Sequence, residues 1–282
     1  WDTSNVTGMN AMFYGATVFN QNINKQTVTV NGKIYTAWDT SKVTDMAWMF
    51  LQAHAFNGVI SDWDVSNVQT MWQMFQWANS FNQYIGDWDV SSVTTMRQMF
   101  SNNPAFNQSI ENWDPSSVTD MSMMFSGSVY NQPINWNTTS LKNASNMFGY
   151  KFNQTVHLNT SNITTMKSMF YKCYDFNQNI NTKVVTTANG TSFVAWDMSN
   201  VTDMSWMFQT ARTFNQPIGN WDTSSVTNMQ GMFSDANAFN QNINKTTVNV
   251  NGNTYTAWDT SSVGNMSTMF SVAASFNQPL DN

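Results

Sequence analysis

The phrase Trp-Asp-Thr-Ser-x-Val-Thr-x-Met-x-x-Met-Phe returns about every 25 residues along the whole chain, which leaves few folds open to it. With the Trp as position zero, units start at Trp1, Trp38, Trp63, Trp88, Trp113, Trp136, Leu158, Trp196, Trp221 and Trp258. A unit this short cannot cover its own apolar face, so neighbours must cover it and stability comes from stacking. The columns run through all ten units without a break, and a single repeat domain over 1–282 is expected.

Composition follows from the columns. Phe stands twelve residues after each unit start, as in Phe13, Phe50, Phe75 and Phe100, always preceded by Met, and a second Met column three residues earlier runs Met9, Met46, Met71 and onward with Ala144 as its one gap. Only Met123 and Met198 of the 21 Met residues fall outside those two columns. The Met content is therefore core filling: thioether copper sites gather irregular clusters, and a strict period is something else. A second aromatic column closes each unit, with Tyr130 standing once for Phe.

Apolar positions at offsets 5, 8, 11, 12 and 15, for example Val6, Met9, Met12, Phe13 and Ala16, predict a short amphipathic helix of about three turns. Ser4, Ser41, Ser66, Ser91, Ser116, Ser161, Ser199, Ser224 and Ser261 stand just ahead of it, where a hydroxyl can accept from first-turn N–H groups. The Ile-x-x-Trp-Asp piece that follows reads as a brief strand. The expected fold is an α/β solenoid, a leucine-rich-repeat-like right-handed coil of about ten turns of 22–25 residues, each with one short strand and one short helix, bearing three inserted β-hairpins.

Those insertions occupy about 25–37, 181–195 and 245–257. Asn31-Gly32, Asn189-Gly190 and Asn251-Gly252 each divide two runs of β-formers, the signature of a tight hairpin. Bare hairpins are marginal in water, so each is expected to pack on the flank of the stack or on another chain.

Asn20, Asn57, Asn82, Asn107, Asn131, Asn153, Asn177, Asn215, Asn240 and Asn277 place one Asn at the same point of every unit. A structural ladder, each amide bonding backbone of its own turn and the next, is favoured over a ligand role. The Asp column (Asp2, Asp39, Asp64, Asp89, Asp114, Asp197, Asp222, Asp259) leaves two readings open: hydrogen bonding to turn N–H groups, or calcium bridging without a recognised calcium loop. Asp is replaced by Asn137 and Asn159 in units six and seven, which are also shortened, and an irregular stack is expected near 128–160.

Aromatics outside the core columns mark a possible interaction surface: Trp48, Trp206, Trp72 and Trp77, with Tyr14, Tyr84 and the hairpin residues Tyr35 and Tyr255. Such side chains stack on sugars, anchor protein interfaces, or simply pack unit on unit. The net charge is −6 and the eleven Lys and Arg read as scattered singly, which disfavours a nucleic-acid partner. No apolar run is long enough for a membrane span, so no transmembrane segment is expected. The lone Cys173 forms no internal disulfide, His54 and His157 lack zinc spacing, and no cofactor or metal is expected. With no initiator Met, signal peptide or lipid-attachment Cys, the chain is expected to be processed or part of something longer.

The units, for example Phe214-Asn215-Gln216-Pro217-Ile218-Gly219-Asn220-Trp221-Asp222-Thr223-Ser224-Ser225-Val226-Thr227-Asn228-Met229, resemble the BspA-like surface-protein repeats of mycoplasma lipoproteins and other microbial and protist surface proteins. The resemblance implies an extracellular location, a leucine-rich-repeat-like solenoid and a role in adhesion or surface display, with no shared catalytic residue. The residues point the same way on catalysis: side chains locked in a period share one environment, whereas acid-base pairs need different ones. Two functions follow. One is a structural protein that self-associates into a filament or surface layer through uncapped ends and hairpins. The other is an adhesion module that binds a host protein or glycan through its aromatics and hairpins. The Thr row (Thr7, Thr44, Thr94, Thr119, Thr202, Thr227) as an ice-binding array is a remote third.

Overall fold

The computed structural model describes residues 1–188 and 190–280, and among them there is no helix. The segment expected to be helical is a run of tight turns. In the unit beginning at Trp38, Met49 N–H bonds Met46 O at 3.3 Å, Leu51 N–H bonds Trp48 O at 3.0 Å and Ala53 N–H bonds Phe50 O at 3.0 Å. The alternate N–H groups leave the unit altogether: Met46, Trp48, Phe50 and Gln52 donate to Thr70, Trp72, Met74 and Gln76 carbonyls at 2.9–3.1 Å. An α-helix needs each N–H to meet the carbonyl four residues back, and here half of them are committed to the neighbouring unit.

Backbone angles give the same reason. The residue at offset ten is left-handed in every unit, from Ala11 (φ 54°) and Trp48 (φ 60°) through Met123 (φ 57°) to Gly231 (φ 58°) and Thr268 (φ 57°). A second left-handed residue follows four positions later in most units, as at Gly15, Gln52, Trp77, Asn102 and Val272. Each such L-residue costs about 1–2 kcal/mol and ends any right-handed helix at that point. The apolar spacing of three and four is real, but it marks successive turn corners.

This assigns an opposite sign to one substitution. In a helix Met123→Gly would cost about 1 kcal/mol. At a left-handed position the lost Cβ relieves strain that outweighs the roughly 0.5–1 kcal/mol of glycine entropy. Urea unfolding of Met123→Gly is expected to show stability equal to the wild type or up to about 1 kcal/mol higher; a loss of that size would contradict the left-handed assignment.

Units join through parallel bridges that run unit to unit: Gly8, Asp45, Thr70, Thr95, Asp120, Asn143, Thr165, Asp203, Asn228 and Asn265 each pair with the next. Stacking at this spacing lays like on like. Phe50–Phe75, Phe75–Phe100 and Phe100–Phe125 centroids are 5.5, 5.6 and 5.7 Å apart, and within one unit Phe75 and Phe81 are 3.9 Å apart. Their rings belong to one buried cluster that extends from Met9 to Met269. Buried indoles keep their N–H satisfied across the junction: Trp63, Trp113 and Trp221 Nε1 donate to Ile23, Ile85 and Ile180 carbonyls at 2.9–3.0 Å.

Strands are few. The first hairpin pairs β1 (Gln26–Val30) with β2 (Lys33–Ala37) antiparallel, its turn formed by Asn31 (φ 52°) and Gly32 (φ 76°). In β3 (Ile134–Trp136) and β4 (Val156–Leu158) the approach to the unit start is paired as parallel strand, Asn135 opposite His157. Before Trp63, Trp88, Trp113 and Trp221 the approach is one residue longer and folds into a turn, as in Trp63 N–H to Ile60 O at 3.2 Å. The second hairpin pairs β5 (Lys183–Thr186) with β6 (Ser192–Ala195); Asn189 of its expected turn lies outside the described residues. The third pairs β7 (Thr246–Val250) with β8 (Asn253–Ala257). The expected α/β solenoid, with a helix and a strand in every turn and leucine-rich-repeat-like geometry, is therefore overturned: tight turns replace the helix, and among the described residues the unit strand is found only at β3 and β4.

Candidate interaction surfaces

The Asn column sits half-buried to exposed at the edge of the stack. Asn57, Asn82 and Asn107 N–H groups donate to Asn20, Asn57 and Asn82 Oδ1 at 2.8, 2.9 and 3.0 Å. The same step links Asn131, Asn153, Asn177, Asn215, Asn240 and Asn277 at 2.8–3.1 Å. One side chain thus bridges each junction where a backbone carbonyl would otherwise serve.

In the Asp column the carboxylate is the acceptor and the following Ser the donor, the reverse of the hydroxyl role expected from a helix cap. Asp64 Oδ1 takes Ser66 N–H at 3.1 Å and Ser66 Oγ at 2.6 Å. Hydrogen bonds to the charged form hold the Asp2 carboxyl below its usual range through the Ser4 hydroxyl, and that of Asp259 through the Ser261 N–H. Among the described residues no cluster of three or more His, Cys, Asp or Glu is placed to hold a metal ion.

Of the off-column aromatics, two are in ring contact. The Trp48 and Trp72 rings are 4.8 Å apart, Trp48 Nε1 donates to Gln73 Oε1 at 2.6 Å, and Gln73 in turn bonds Gln76. Trp77, in the same unit as Trp72, is 43% exposed, and its carbonyl lies 2.8 Å from His54 Nδ1. Arg97 stands 5.9 Å from the Trp72 ring, and Trp72 Nε1 is buried without a partner. Trp206 occupies the same offset as Trp48 six units on and lies over Gly231, where a Cβ would fall 2.0 Å from its ring. Tyr255 reaches from β8 to the Asn220 carbonyl and fixes the third hairpin to the flank, while Tyr35 is half-buried opposite Val28. Tyr14 is exposed, and Tyr84 donates to Asp87 at 2.9 Å.

Two buried groups have shifted titration. Burial, then Lys183, pushes His157 down to about 4, so its imidazole is neutral near pH 7, with Nε2 unpartnered. Burial alone pushes the Cys173 thiol far up, so it is an inert core atom.

The residues that sequence reasoning missed are basic. Lys142, Lys151, Lys167 and Lys172 are all exposed, and none makes an ion pair among the described residues. Lys172 Nζ lies 4.9 Å over the Tyr171 ring and Lys151 Nζ 5.8 Å over Tyr150. The Tyr171 hydroxyl holds the Lys172 proton above the ordinary lysine range. Counting along the sequence would have found them: residues 121–196 carry five Lys and one acid, net +4, while the rest carries six cations and sixteen acids, net −10.

Stacked units with a shared hydrogen-bond ladder and no helix define a tandem-repeat protein whose surfaces are rows of equivalent positions. The chain matches the family described as Mycoplasma protein of unknown function, DUF285, over residues 1–31, 26–134, 101–192 and 182–282, and it belongs to that family. No curated protein and no solved structure matches it. Among the described residues no helix is long and apolar enough to cross a membrane.

Proposed function

We propose that the chain is a non-enzymatic, extracellular structural repeat protein of the BspA-like kind, which associates end to end into a filament or surface layer. The observation that carries this is the polarity of the junction. Each regular unit donates four N–H groups to the unit after it, and the fifth and sixth units three, to carbonyls that the next unit presents, so any stack of them has two unlike, mutually complementary faces wherever it starts and stops. On this chain Gly8, Asn10, Met12 and Tyr14 carbonyls form one face and Met266, Thr268, Phe270 and Val272 N–H groups the other, none of them bonded among the described residues. Both faces are apolar besides: Trp1 is 74% exposed and Val272 69%. Unlike faces of one molecule make head-to-tail contacts, which build open filaments wherever the rotation between copies does not close a ring.

Sedimentation of the 282-residue chain over a range of concentrations tests it. The wild type is expected to form a series of oligomers, with filaments visible by electron microscopy. Met266→Asp with Val272→Asp puts charge on the donating face without touching buried core, and Asp tolerates the left-handed angle at 272 better than Val. That variant is expected to stay monomeric. A wild type monomeric at millimolar concentration, or a double variant that assembles equally well, would sink the reading.

A second reading, an adhesion module for a host glycan or protein, is favoured by the Trp48–Trp72 pair with its adjoining amides and by the exposed Trp77. Rings flanked by Gln and Arg suit a polar, stackable ligand.

A further inference from the structure

The unit-to-unit ladder has four donor bonds at each regular junction, and it opens at one place. The fourth bond, Gly15 N–H to Leu51 O at 2.8 Å in the first junction and Asn102 N–H to Ser126 O at 2.7 Å in the fourth, has no counterpart from Gly127 or Tyr150 among the described residues. The sequence supplies the cause. Phe148 and Phe152 are four positions apart where the corresponding pair in most units, such as Phe75 and Phe81, is six apart. The shortened sixth unit pulls its corner inward until Gly149 backs onto the Ser128 and Phe125 carbonyls, where a Cβ would sit at 2.4 and 2.6 Å.

What opens is a cleft of about 210 Å³, lined by Ser126, Gly127, Asn146, Tyr150, Tyr171 and Lys172 among others. Two unpaired backbone N–H groups, a hydroxyl and an amide offer hydrogen bonds, and two phenol rings offer walls. Lys172 belongs to the lining, and Lys151 and Lys167 lie in the same pair of units, exposed and without ion pairs. The cleft is smaller than the roughly 300–1,000 Å³ that holds a whole small molecule, so it suits one residue of a polymer whose remainder runs along the face.

We propose that the cleft opened by the shortened sixth unit, with its lysines Lys151, Lys167 and Lys172, is a binding site for an acidic polysaccharide, one sugar ring seated between the tyrosines and its carboxylate or sulfate met by the lysines and free N–H groups. The proposal rests on the adhesion reading and names its ligand class. Nucleic acid fits less well: a duplex carries a charge about every 1.7 Å, and single strands need long basic grooves with aromatic platforms. Flanks that total −10 would repel such a backbone, whereas a glycan charged on alternate sugars tolerates them.

Calorimetry on the 282-residue chain decides it, with four probes: a sulfated chondroitin hexasaccharide, a hyaluronan hexasaccharide carrying carboxylates only, neutral maltohexaose, and a uridine 20-mer. Either or both acidic saccharides are expected to bind, more weakly as salt rises, and their ratio tells which acid group is read. Lys151→Gln, Lys167→Gln and Lys172→Gln together are expected to weaken binding about tenfold with an unchanged melting temperature, because each exposed contact contributes modestly. Lys25→Gln with Lys245→Gln should leave binding unaltered. Equal binding of maltohexaose or the uridine oligomer, or a triple variant that binds like the wild type, overturns the site. If saccharide binding survives the triple variant but is lost in Trp48→Ala with Trp77→Ala, the adhesion reading stands and this cleft falls; if no probe binds at all, the cleft falls and a protein ligand is left as the only form of that reading.

Discussion

Phe75→Ala is expected to destabilise the chain by about 3–5 kcal/mol in urea unfolding, the largest effect of any single truncation proposed here. The ring is fully buried, with Phe50 5.5 Å above, Phe100 5.6 Å below, Phe81 3.9 Å beside it and Trp88 6.4 Å away. Removing it deletes four aromatic contacts at once and leaves a cavity that neither neighbouring unit can fill, since each is held at fixed spacing by its own ladder. In a stack the stability is a sum over units and junctions, so the lesion also uncouples the parts on either side. Unfolding should lose its cooperativity and show two transitions. Phe276→Ala removes a partly exposed ring at the far end of the same kind of column and is expected to cost less than half as much. Equal losses at the two positions would contradict a core made by stacking.

Gly149→Ala is expected to cost about 3 kcal/mol, although alanine is the smallest change available. The new Cβ would meet Ser128 O at 2.4 Å, Phe125 O at 2.6 Å and Ser128 N at 3.0 Å, all of them backbone. Backbone cannot rotate aside like a side chain, so the junction between the fifth and sixth units must widen and weaken Phe125 N–H to Met147 O, now 2.8 Å. Gly219→Ala, whose nearest contact is Asn242 O at 3.2 Å, is expected to cost much less. Thermal melts of the two variants side by side measure the difference. Equal melting points would show that the sixth unit is not packed as closely as described.

The side chains were more legible than the backbone that carries them. A period of about 25 residues tells which Phe meets which Phe, because stacking of like units allows little else. It does not tell how the chain passes between them. Spacings of three and four residues suit a helix and a string of tight turns equally, and the feature that separates them is a left-handed residue at offset ten. Glycine would have flagged it, yet only Gly231 does; Ala11, Trp48, Gln73, Gln98 and Thr268 hold the same angle at a strain offset by the junction bonds. Serine misled for a related reason. Ser after Asp resembles a cap, and the bond runs from Ser66 to Asp64 instead. At the surface, Trp48 and Trp206 could be placed in one row by counting offsets, whereas Lys151, Lys167 and Lys172 could not while charges were weighed singly. Their grouping depends on a missing stretch in the sixth unit, and what a short loop exposes is a matter of packing.

The central claim is that unit N–H groups bond the next unit and not their own helix. Scalar couplings across hydrogen bonds, measured by NMR on deuterated protein, test it atom by atom. The Phe75 amide nitrogen is expected to couple to the Met99 carbonyl carbon, and Phe100 to Met124, matching bonds of 2.9 Å in both cases. A coupling from Phe75 to Met71, four residues back, would mean a helix and would contradict the structure described here.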